Sequence, residues 1–199
     1  MKYINQRDYP HWLYVTRTDL EGVEREKGLT TTIATSGCGL CSAVMVADRL
    51  LADSGFELKD AVQLSYDTRA NFESGTNSER FFPAFADKMG LHHEKTKDME
   101  ALLRCLRTGG VAIVLVSGNR EGYQGVYSGI AQHYVVALSQ ERDGRIVILD
   151  PADEAGKFAL EHRKDKVEVI TRGMSLCRVR TLEEESEPFK APFELFWRK

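Results

Sequence analysis

Apolar residues recur at helical spacing over the first half of the chain. From residue 39 to residue 54 they return every three or four positions, which predicts a helix that ends before Gly55. Ser36 lies just upstream and is the predicted N-terminal cap of this helix. Weaker patterns with the same period predict further helices over residues 60–68, 78–89 and 99–106.

After Gly110 the pattern changes to short continuous runs of apolar and β-branched residues. Residues 111–116 form one such run, as a buried strand does. Residues 133–138 and 145–149 form two more, and the Asp-Gly pair between them predicts a hairpin. Later strands are predicted over residues 166–171, 175–180 and 193–197. Helices followed by strands predict an α+β fold class.

Three segments lack a regular pattern. The first 35 residues are polar and rich in turn residues, so we expect an extended arm held down by aromatic side chains. The acidic run at residues 183–187 predicts a solvated loop. Glycines and tyrosines alternate over residues 118–129, which predicts either a mobile lid that contacts substrate or a long crossover connection.

Length and composition narrow the classes of protein. The 199 residues favour a single domain over residues 1–199, and 42% apolar residues are enough for a real core. The formal charge of −3 provides no basic field, so we expect no nucleic acid partner. The longest apolar run is far shorter than a membrane span and the N-terminus carries no secretory pattern, so we expect a cytoplasmic protein with no membrane partner. The oligomeric state leaves no mark in the sequence.

Cys38 is the first candidate for chemistry. It lies between Gly37 and Gly39, directly before the helix predicted over residues 39–54. A helix N-terminus presents unpaired N–H groups and a partial positive charge, which favours a thiolate and can hold an oxyanion. A small buried residue that begins a core helix is the alternative interpretation of the same pattern.

His133 and Asp150 frame the predicted hairpin, because His133 opens its first strand and Asp150 follows its second. Those two positions are neighbours in an antiparallel pair. An imidazole there can take the proton of a thiol, and a carboxylate behind the imidazole fixes its tautomer. Cys38, His133 and Asp150 are therefore the predicted catalytic residues.

The residues around these three positions resemble a known family. Residues 32–46, with Ser36-Gly37-Cys38-Gly39 at their centre, are similar to the nucleophile segment of bacterial cysteine peptidases related to those that cut bacteriocin leaders after a double glycine. Residues 132–138 and the Asp150-Pro151-Ala152 ending resemble the histidine strand and Asp-Pro-Ala sequence of that family. The resemblance covers about residues 3–155.

The resemblance implies a papain-like α+β fold, with the nucleophile at a helix N-terminus packed on an antiparallel sheet that carries the histidine and the aspartate. It implies a Cys-His-Asp peptidase or amide hydrolase that needs no cofactor, acts on a peptide or protein substrate and uses Gln6 as an oxyanion-hole donor. Residues 156–199 would add strands that cover or extend the sheet. Three positions depart from the family pattern: Thr30–Thr35 lack a glutamine, Gln132 replaces glycine and Leu40 replaces proline.

Two other functions remain open at this point. The Cys38-x-x-Cys41 spacing is that of a thiol-disulfide oxidoreductase, although helical periodicity places Cys41 on the apolar face. A catalytically inactive papain-like binding module is the second alternative. Cys105 and Cys177 lie in apolar patterns and are predicted core residues. No residue spacing favours a metal site, so no metal is predicted.

Overall fold

The structure is a computed structural model that describes residues 2–14, 31–72, 75–129 and 131–199. Within these ranges seven α-helices occur: α1 (Ile33–Ser36), α2 (Cys38–Leu50), α3 (Leu58–Asp67), α4 (Ser78–Met89), α5 (Met99–Arg107), α6 (Glu161–Lys164) and α7 (Val179–Ser186). Two short 3-10 helices cover Gln6–Asp8 and Lys157–Ala159. Among the described residues, none of the helices combines the length and the apolar character needed to cross a bilayer.

The described strands form one large antiparallel sheet and one small hairpin. The hairpin pairs β1 (Asn71–Phe72) with β2 (Gly75–Thr76). The large sheet has seven strands: β3 (Leu91–Thr96), β4 (Val111–Val116), β5 (His133–Gln140), β6 (Ile146–Leu149), β7 (Val167–Thr171), β8 (Met174–Cys177) and β9 (Phe193–Arg198). Their order in space is β3-β9-β4-β5-β6-β8-β7. The last strand, β9, therefore lies inside the sheet between β3 and β4.

The central strands are buried on both faces, which explains their continuous apolar sequences. Along β4, Val111 and Ile113 belong to one core, whereas Ala112 and Val114 belong to the other. This alternation follows from the two-residue period of a strand. Helices α2, α3 and α4 pack in the first core, and helices α5 and α7 pack in the second.

Helix α2 is the central element of the first core. Eleven of its residues are buried, which is typical of a helix surrounded by other elements rather than one on the surface. It contacts β5, α3, β4 and the small hairpin. The N-terminal end of α2 is thereby brought to the same edge of the sheet as the start of β5.

Most elements that the apolar pattern predicts are confirmed. Helix α4 and strand β4 have the predicted bounds, and β5 and β6 pair around a turn with Gly144 at φ +87°. Helix α2 begins one residue earlier and ends four residues earlier than predicted. Residues 166–171 and 193–197 correspond to β7 and β9, so the C-terminal part both extends the sheet and enters it.

Several local predictions are wrong. Ser36 does not cap α2, because it ends α1 and Gly37 occupies the N-cap position. The predicted strand over 175–180 ends at Cys177. The acidic run at 183–187 is not a solvated loop, because most of it lies in α7 and Glu185 is fully buried. Strand β3 was not predicted, since only Leu91 of its six residues is buried.

The first 35 residues are more structured than an extended arm, as far as the structure describes them. Residues 15–30 lie outside the described residues. Gln6–Asp8 form a 3-10 helix, and Ile33–Ser36 form α1. Ile4 and Tyr14 are buried in the first core. The N-terminal segment is therefore part of the folded core.

Candidate active site

Cys38 is the first residue of α2 and is 8% exposed. Glycine at the next position allows the helix to approach the small hairpin closely. A Cβ added at Gly39 would lie 2.7 Å from Oγ1 of Thr76, closer than a methyl group can approach. The N-terminal turn of α2 is thereby held against β2, with its free N–H groups near the thiol.

His133 and Asp150 lie at the adjoining ends of β5 and β6. His133 is the first residue of β5, and Asp150 directly follows the last residue of β6. The N–H of Asp150 donates to the carbonyl oxygen of Gly173 (2.8 Å), which fixes the backbone where the carboxylate leaves the strand. The antiparallel pairing of β5 with β6 brings the two side chains together.

The imidazole of His133 lies between a thiol and a carboxylate. Its Nε2 atom is 2.8 Å from Oδ1 of Asp150, and its side chain also hydrogen-bonds the thiol of Cys38. Because Nε2 is used by the carboxylate, Nδ1 is the nitrogen available to the sulfur. The three residues predicted as catalytic are thus brought together, with the imidazole of His133 between the thiol of Cys38 and the carboxylate of Asp150.

Asp150 is almost fully buried and accepts two further hydrogen bonds. The backbone N–H of Ala152 donates to Oδ1 (2.8 Å), and the ammonium of Lys157 donates to Oδ2 (2.5 Å). Lys157 also donates to the carbonyl oxygen of Ala152 (3.0 Å), and its side chain is only 9% exposed. Asp150 therefore shares its negative charge between an imidazole and an ammonium.

These contacts shift the pKa values of all three groups. Burial lowers the pKa of His133, but the charge of Asp150 and the bonds to Asp150 and Cys38 outweigh it and raise the pKa to about 9. Burial raises the pKa of Cys38, but the hydrogen bond and the charge of His133 outweigh it and lower the pKa below 9.0. Burial raises the pKa of Asp150, but Lys157 and His133 hold it well below its usual range. All three shifts favour a thiolate-imidazolium pair beside an ionised carboxylate.

Gln6, the predicted oxyanion-hole residue, lines the same cavity as Cys38 and His133. Its Nε2 donates to the carbonyl oxygen of Ala34 (2.8 Å), and its backbone N–H donates to that of Pro151 (2.7 Å). Gln6 is 3% exposed. The bond to Ala34 fixes its side chain, and the bond to Pro151 fixes its backbone. The second hydrogen of Nε2 remains available for a ligand.

A cleft passes on both sides of the thiol. On one side, a cavity of about 710 Å³ reaches from Gln6 past His133 to Lys157 and Arg163. On the other side, a cavity of about 240 Å³ is lined by β1, β2 and Tyr134. Cys38, Gly75 and Gln132 line both cavities. An extended chain can therefore lie across the sulfur.

Segment 118–129 forms part of the cleft wall. The carboxylate of Glu185 accepts from the hydroxyl of Tyr123 (2.5 Å) and from the backbone N–H of Val126 (2.8 Å). Val126 and Tyr127 are buried, so this part of the segment is tied to the second core. Ser128 and Gly129 face the cavity. The segment therefore borders the cleft, and the prediction that it is a mobile lid remains a prediction.

The other cysteines are core residues, as predicted. Cys41 is fully buried, and burial together with the charge of Cys38 raises its pKa. Burial raises the pKa of Cys105 to about 11 and that of Cys177 to about 12. A resolving thiol needs access and a reactive thiolate, so the environment of Cys41 does not favour redox exchange. Among the described residues, no group of three or more His, Cys, Asp or Glu side chains is arranged to hold a metal ion.

Sequence reasoning missed two residues of the cleft, Lys157 and Arg163. Lys157 begins the 3-10 helix and Arg163 lies in α6. Both elements precede β7, in a region where the sequence has no strong pattern. Their burial is unusual for cations of their kind. No local pattern in the sequence identifies these two residues as part of the cleft.

Comparison of the chain with models of protein families gives no match, and comparison with curated proteins gives none either.

Proposed function

We propose that this protein is a cysteine peptidase or amide hydrolase with a papain-like fold, in which Cys38 is the nucleophile, His133 the general acid and base, and Asp150 the orienting carboxylate. The observation that carries the proposal is the placement of His133, with Nε2 2.8 Å from Asp150 and the opposite nitrogen facing a thiol of lowered pKa at a helix N-terminus. The resemblance of residues 3–155 to the bacteriocin-leader peptidases supports the same assignment. A peptide or protein is the substrate.

The reaction divides into two steps. The thiolate of Cys38 attacks the carbonyl carbon of the amide, the C–N bond breaks as the imidazolium of His133 gives its proton to the leaving amine, and a thioester forms. Water then adds to the thioester, with His133 accepting its proton. The acid is released and the thiol is restored. The N–H groups at the start of α2 and the amide of Gln6 hold the oxyanion in both steps.

The decisive experiment is the pH dependence of Cys38 alkylation by iodoacetamide, followed by mass spectrometry of the labelled peptide. We expect the thiolate of the wild-type protein to persist to lower pH than that of His133→Ala, because the hydrogen bond and the charge of His133 lower the pKa of Cys38. At pH 6, where a thiol with a pKa near 8.5 is less than about 1% ionised, the wild-type protein should therefore react faster than His133→Ala. Cys41→Ser is the matched control and retains the wild-type rate.

Hydrolysis is then measured with a fluorogenic peptide library and Cys38→Ala as the blank. Alkylation that does not depend on His133 contradicts the proposal and leaves a binding module of the same fold. Reactivity lost in Cys41→Ser also contradicts it, and assigns thiol-disulfide exchange to the Cys38-x-x-Cys41 pair instead.

A further inference from the structure

A buried arginine lines the cavity beside Cys38 without a carboxylate partner among the described residues. Arg163 of α6 is 7% exposed and borders the same 710 Å³ cavity as Cys38 and His133. A buried guanidinium loses much of its hydration, and a counter-ion normally compensates for that loss. The nature of its partners therefore indicates what the arginine is for.

Its hydrogen bonds all go to neutral acceptors. Nε donates to the carbonyl oxygen of Gly125 (3.2 Å) and to Nε2 of His162 (3.1 Å). Nη1 donates to the carbonyl oxygen of Lys157 (3.2 Å). Nη2 forms no hydrogen bond with any described residue. These bonds orient the guanidinium but give it no carboxylate in direct contact, and Nη2 is left without a bond to the described residues.

The carboxylates near Arg163 do not bond to it. Asp150 pairs with Lys157 and His133, and Glu154 pairs with Arg7 (2.8 Å). The Oε1 atom of Glu185 accepts from Tyr123 and Val126, while its Oε2 atom is buried and forms no hydrogen bond with any described residue, Arg163 included. Burial lowers the pKa of Arg163, and the distant charges of Glu185, Asp150 and Glu154 act against that shift. In the described cavity wall, Arg163 is thus the cation that no carboxylate contacts directly.

We propose that Arg163 binds a carboxylate of the substrate, so that the substrate class is peptides with a free carboxylate close to the amide that Cys38 attacks. This inference rests on the proposed function, since it takes Cys38 as the reacting residue. A planar guanidinium with Nη2 directed to an open site matches the geometry of a carboxylate. The carboxylate belongs either to a chain terminus or to an acidic side chain.

The test compares alkylating reagents that differ only in charge. N-iodoacetyl-glycine and N-iodoacetyl-glycinamide form one pair, which represents a terminal carboxylate. N-iodoacetyl-glutamic acid α-amide and N-iodoacetyl-glutamine α-amide form the other, which represents a side chain. The measured quantity is the ratio of the alkylation rates of Cys38 by the acid and by the amide of each pair.

We expect this ratio to fall about tenfold from wild type to Arg163→Gln in at least one pair, as the loss of a charged hydrogen bond predicts. The pair that responds identifies the source of the carboxylate. Lys164→Gln is the matched control, because Lys164 is the next residue of α6, is 47% exposed and lies outside this cavity. Its ratio stays at the wild-type value.

A second variant covers the case in which Arg163→Gln does not fold. A Cβ at Gly129 would lie 3.5 Å from Nη2 of Arg163, and no other described residue beyond its chain neighbours comes within 4 Å. Gly129→Asp therefore supplies a tethered carboxylate, and we expect it to remove the preference for the acid. Gly129→Asn, the neutral control, keeps it.

Equal ratios in wild type and Arg163→Gln, or in Gly129→Asp and Gly129→Asn, overturn the inference. The rate with the neutral reagent reports independently on the proposed function. A fast neutral reaction with no charge preference refutes only the carboxylate site. A slow neutral reaction that does not depend on His133 refutes the reactive thiol.

Discussion

At the scale of single residues, the proposed reaction requires two ionised groups that pH can distinguish. In that reaction the thiolate of Cys38 attacks the amide, and the imidazolium of His133 protonates the leaving amine. We expect kcat/KM for hydrolysis to fall at low pH as the thiolate is protonated, and to fall again as the pH rises through about 9, the pKa of His133. Alkylation by iodoacetamide needs only the thiolate, so its rate does not fall above pH 9.

The same shift affects stability with a definite sign. The pKa of His133 is 6.5 in an unfolded chain and about 9 in the fold. Protonated His133 therefore stabilises the fold fully below pH 6.5, and this contribution is lost as the pH rises through about 9.

The hydrolysis profile tests the role of His133 directly. A profile of kcat/KM that stays flat between pH 8 and pH 10 would show that a group other than His133 protonates the amine.

Lys157 acts on the site through Asp150. In Lys157→Met, Oδ2 of Asp150 loses the one hydrogen bond that it forms with the described residues and remains buried, so we expect a loss in the free energy of unfolding of about 3 kcal/mol. His133 is then the only cation in contact with the carboxylate among the described residues, which raises the pKa of His133 and moves the basic limb of kcat/KM to higher pH. Urea denaturation and the pH profile measure the two effects.

Lys164→Met is the control for Lys157→Met, because Lys164 is half-exposed and pairs only with Glu161. We expect wild-type values for both measurements. A basic limb that stays in place in Lys157→Met would mean that Lys157 is only a structural partner of the segment after β6.

Gln6 is tested by a reaction that forms an oxyanion and by one that does not. Hydrolysis passes through a tetrahedral oxyanion, whereas alkylation at the saturated carbon of iodoacetamide does not. We expect Gln6→Met to reduce kcat for hydrolysis by about 100-fold and to leave Cys38 alkylation unchanged. Equal losses in both reactions would indicate a distorted site, because the side-chain amide of Gln6 also donates to the carbonyl oxygen of Ala34.

At the scale of elements, α7 positions one wall of the cleft from the opposite face of the sheet. The side chain of Glu185 accepts two hydrogen bonds from segment 118–129, and its carbonyl oxygen accepts from the N–H of Ser117 (2.8 Å). We expect Glu185→Ala to leave Tyr123 and Val126 without that partner and to destabilise the fold by about 1–3 kcal/mol. Hydrogen exchange should rise first in residues 118–129.

Glu183→Ala is the control for Glu185→Ala, since Glu183 lies on the same helix but is exposed. We expect its exchange pattern to match that of the wild type. Protection of residues 118–129 that is unchanged in Glu185→Ala would show that the apolar contacts of Val126 and Tyr127 hold the segment without the carboxylate.

The elements that could be predicted are those specified locally. Helix α4 carries its own signals: Asn77 caps it, accepting from the N–H of Arg80, and Gly90 ends it in the left-handed region. Helix α7 has a buried glutamate where the pattern requires an apolar residue. Strand β3 is polar and owes its conformation to pairing with β9, about 100 residues later. Neither is visible in a local window of sequence.

The same distinction between local and long-range signals applies to the candidate site. Cys38, His133 and Asp150 could be found because a helix start and a hairpin give each of them a local context. Lys157 and Arg163 could not be found, because their position in the cleft depends on burial that no pattern in residues 157–164 predicts. The orientation of Gln6 depends on its contacts with α1 and the segment after β6. Local patterns therefore predict the three residues of the proposed triad better than the residues that surround them in the cleft.

At the scale of the whole molecule, the sheet is completed by the end of the chain. Strand β9 pairs with β3 on one side and β4 on the other. Phe193 belongs to the second core and Phe196 to the first, where it contacts Phe82 and Phe85. Phe82 in turn packs edge-on against Tyr134, the residue after His133. The last strand therefore supports both cores and the strand that carries the base.

Removal of residues 191–199 should consequently prevent folding rather than loosen one edge. It leaves β3 and β4 without a shared neighbour and deletes apolar side chains from both cores, each worth about 3–5 kcal/mol for a phenylalanine, against a total stability of about 5–15 kcal/mol. We expect no cooperative unfolding transition in urea and no enhanced Cys38 alkylation at pH 6. Deletion of Lys199 alone, which lies beyond β9, should leave both unchanged. A cooperative transition in the shortened chain would mean that β3 and β4 can pair directly, because a continuous sheet is needed to separate the two cores.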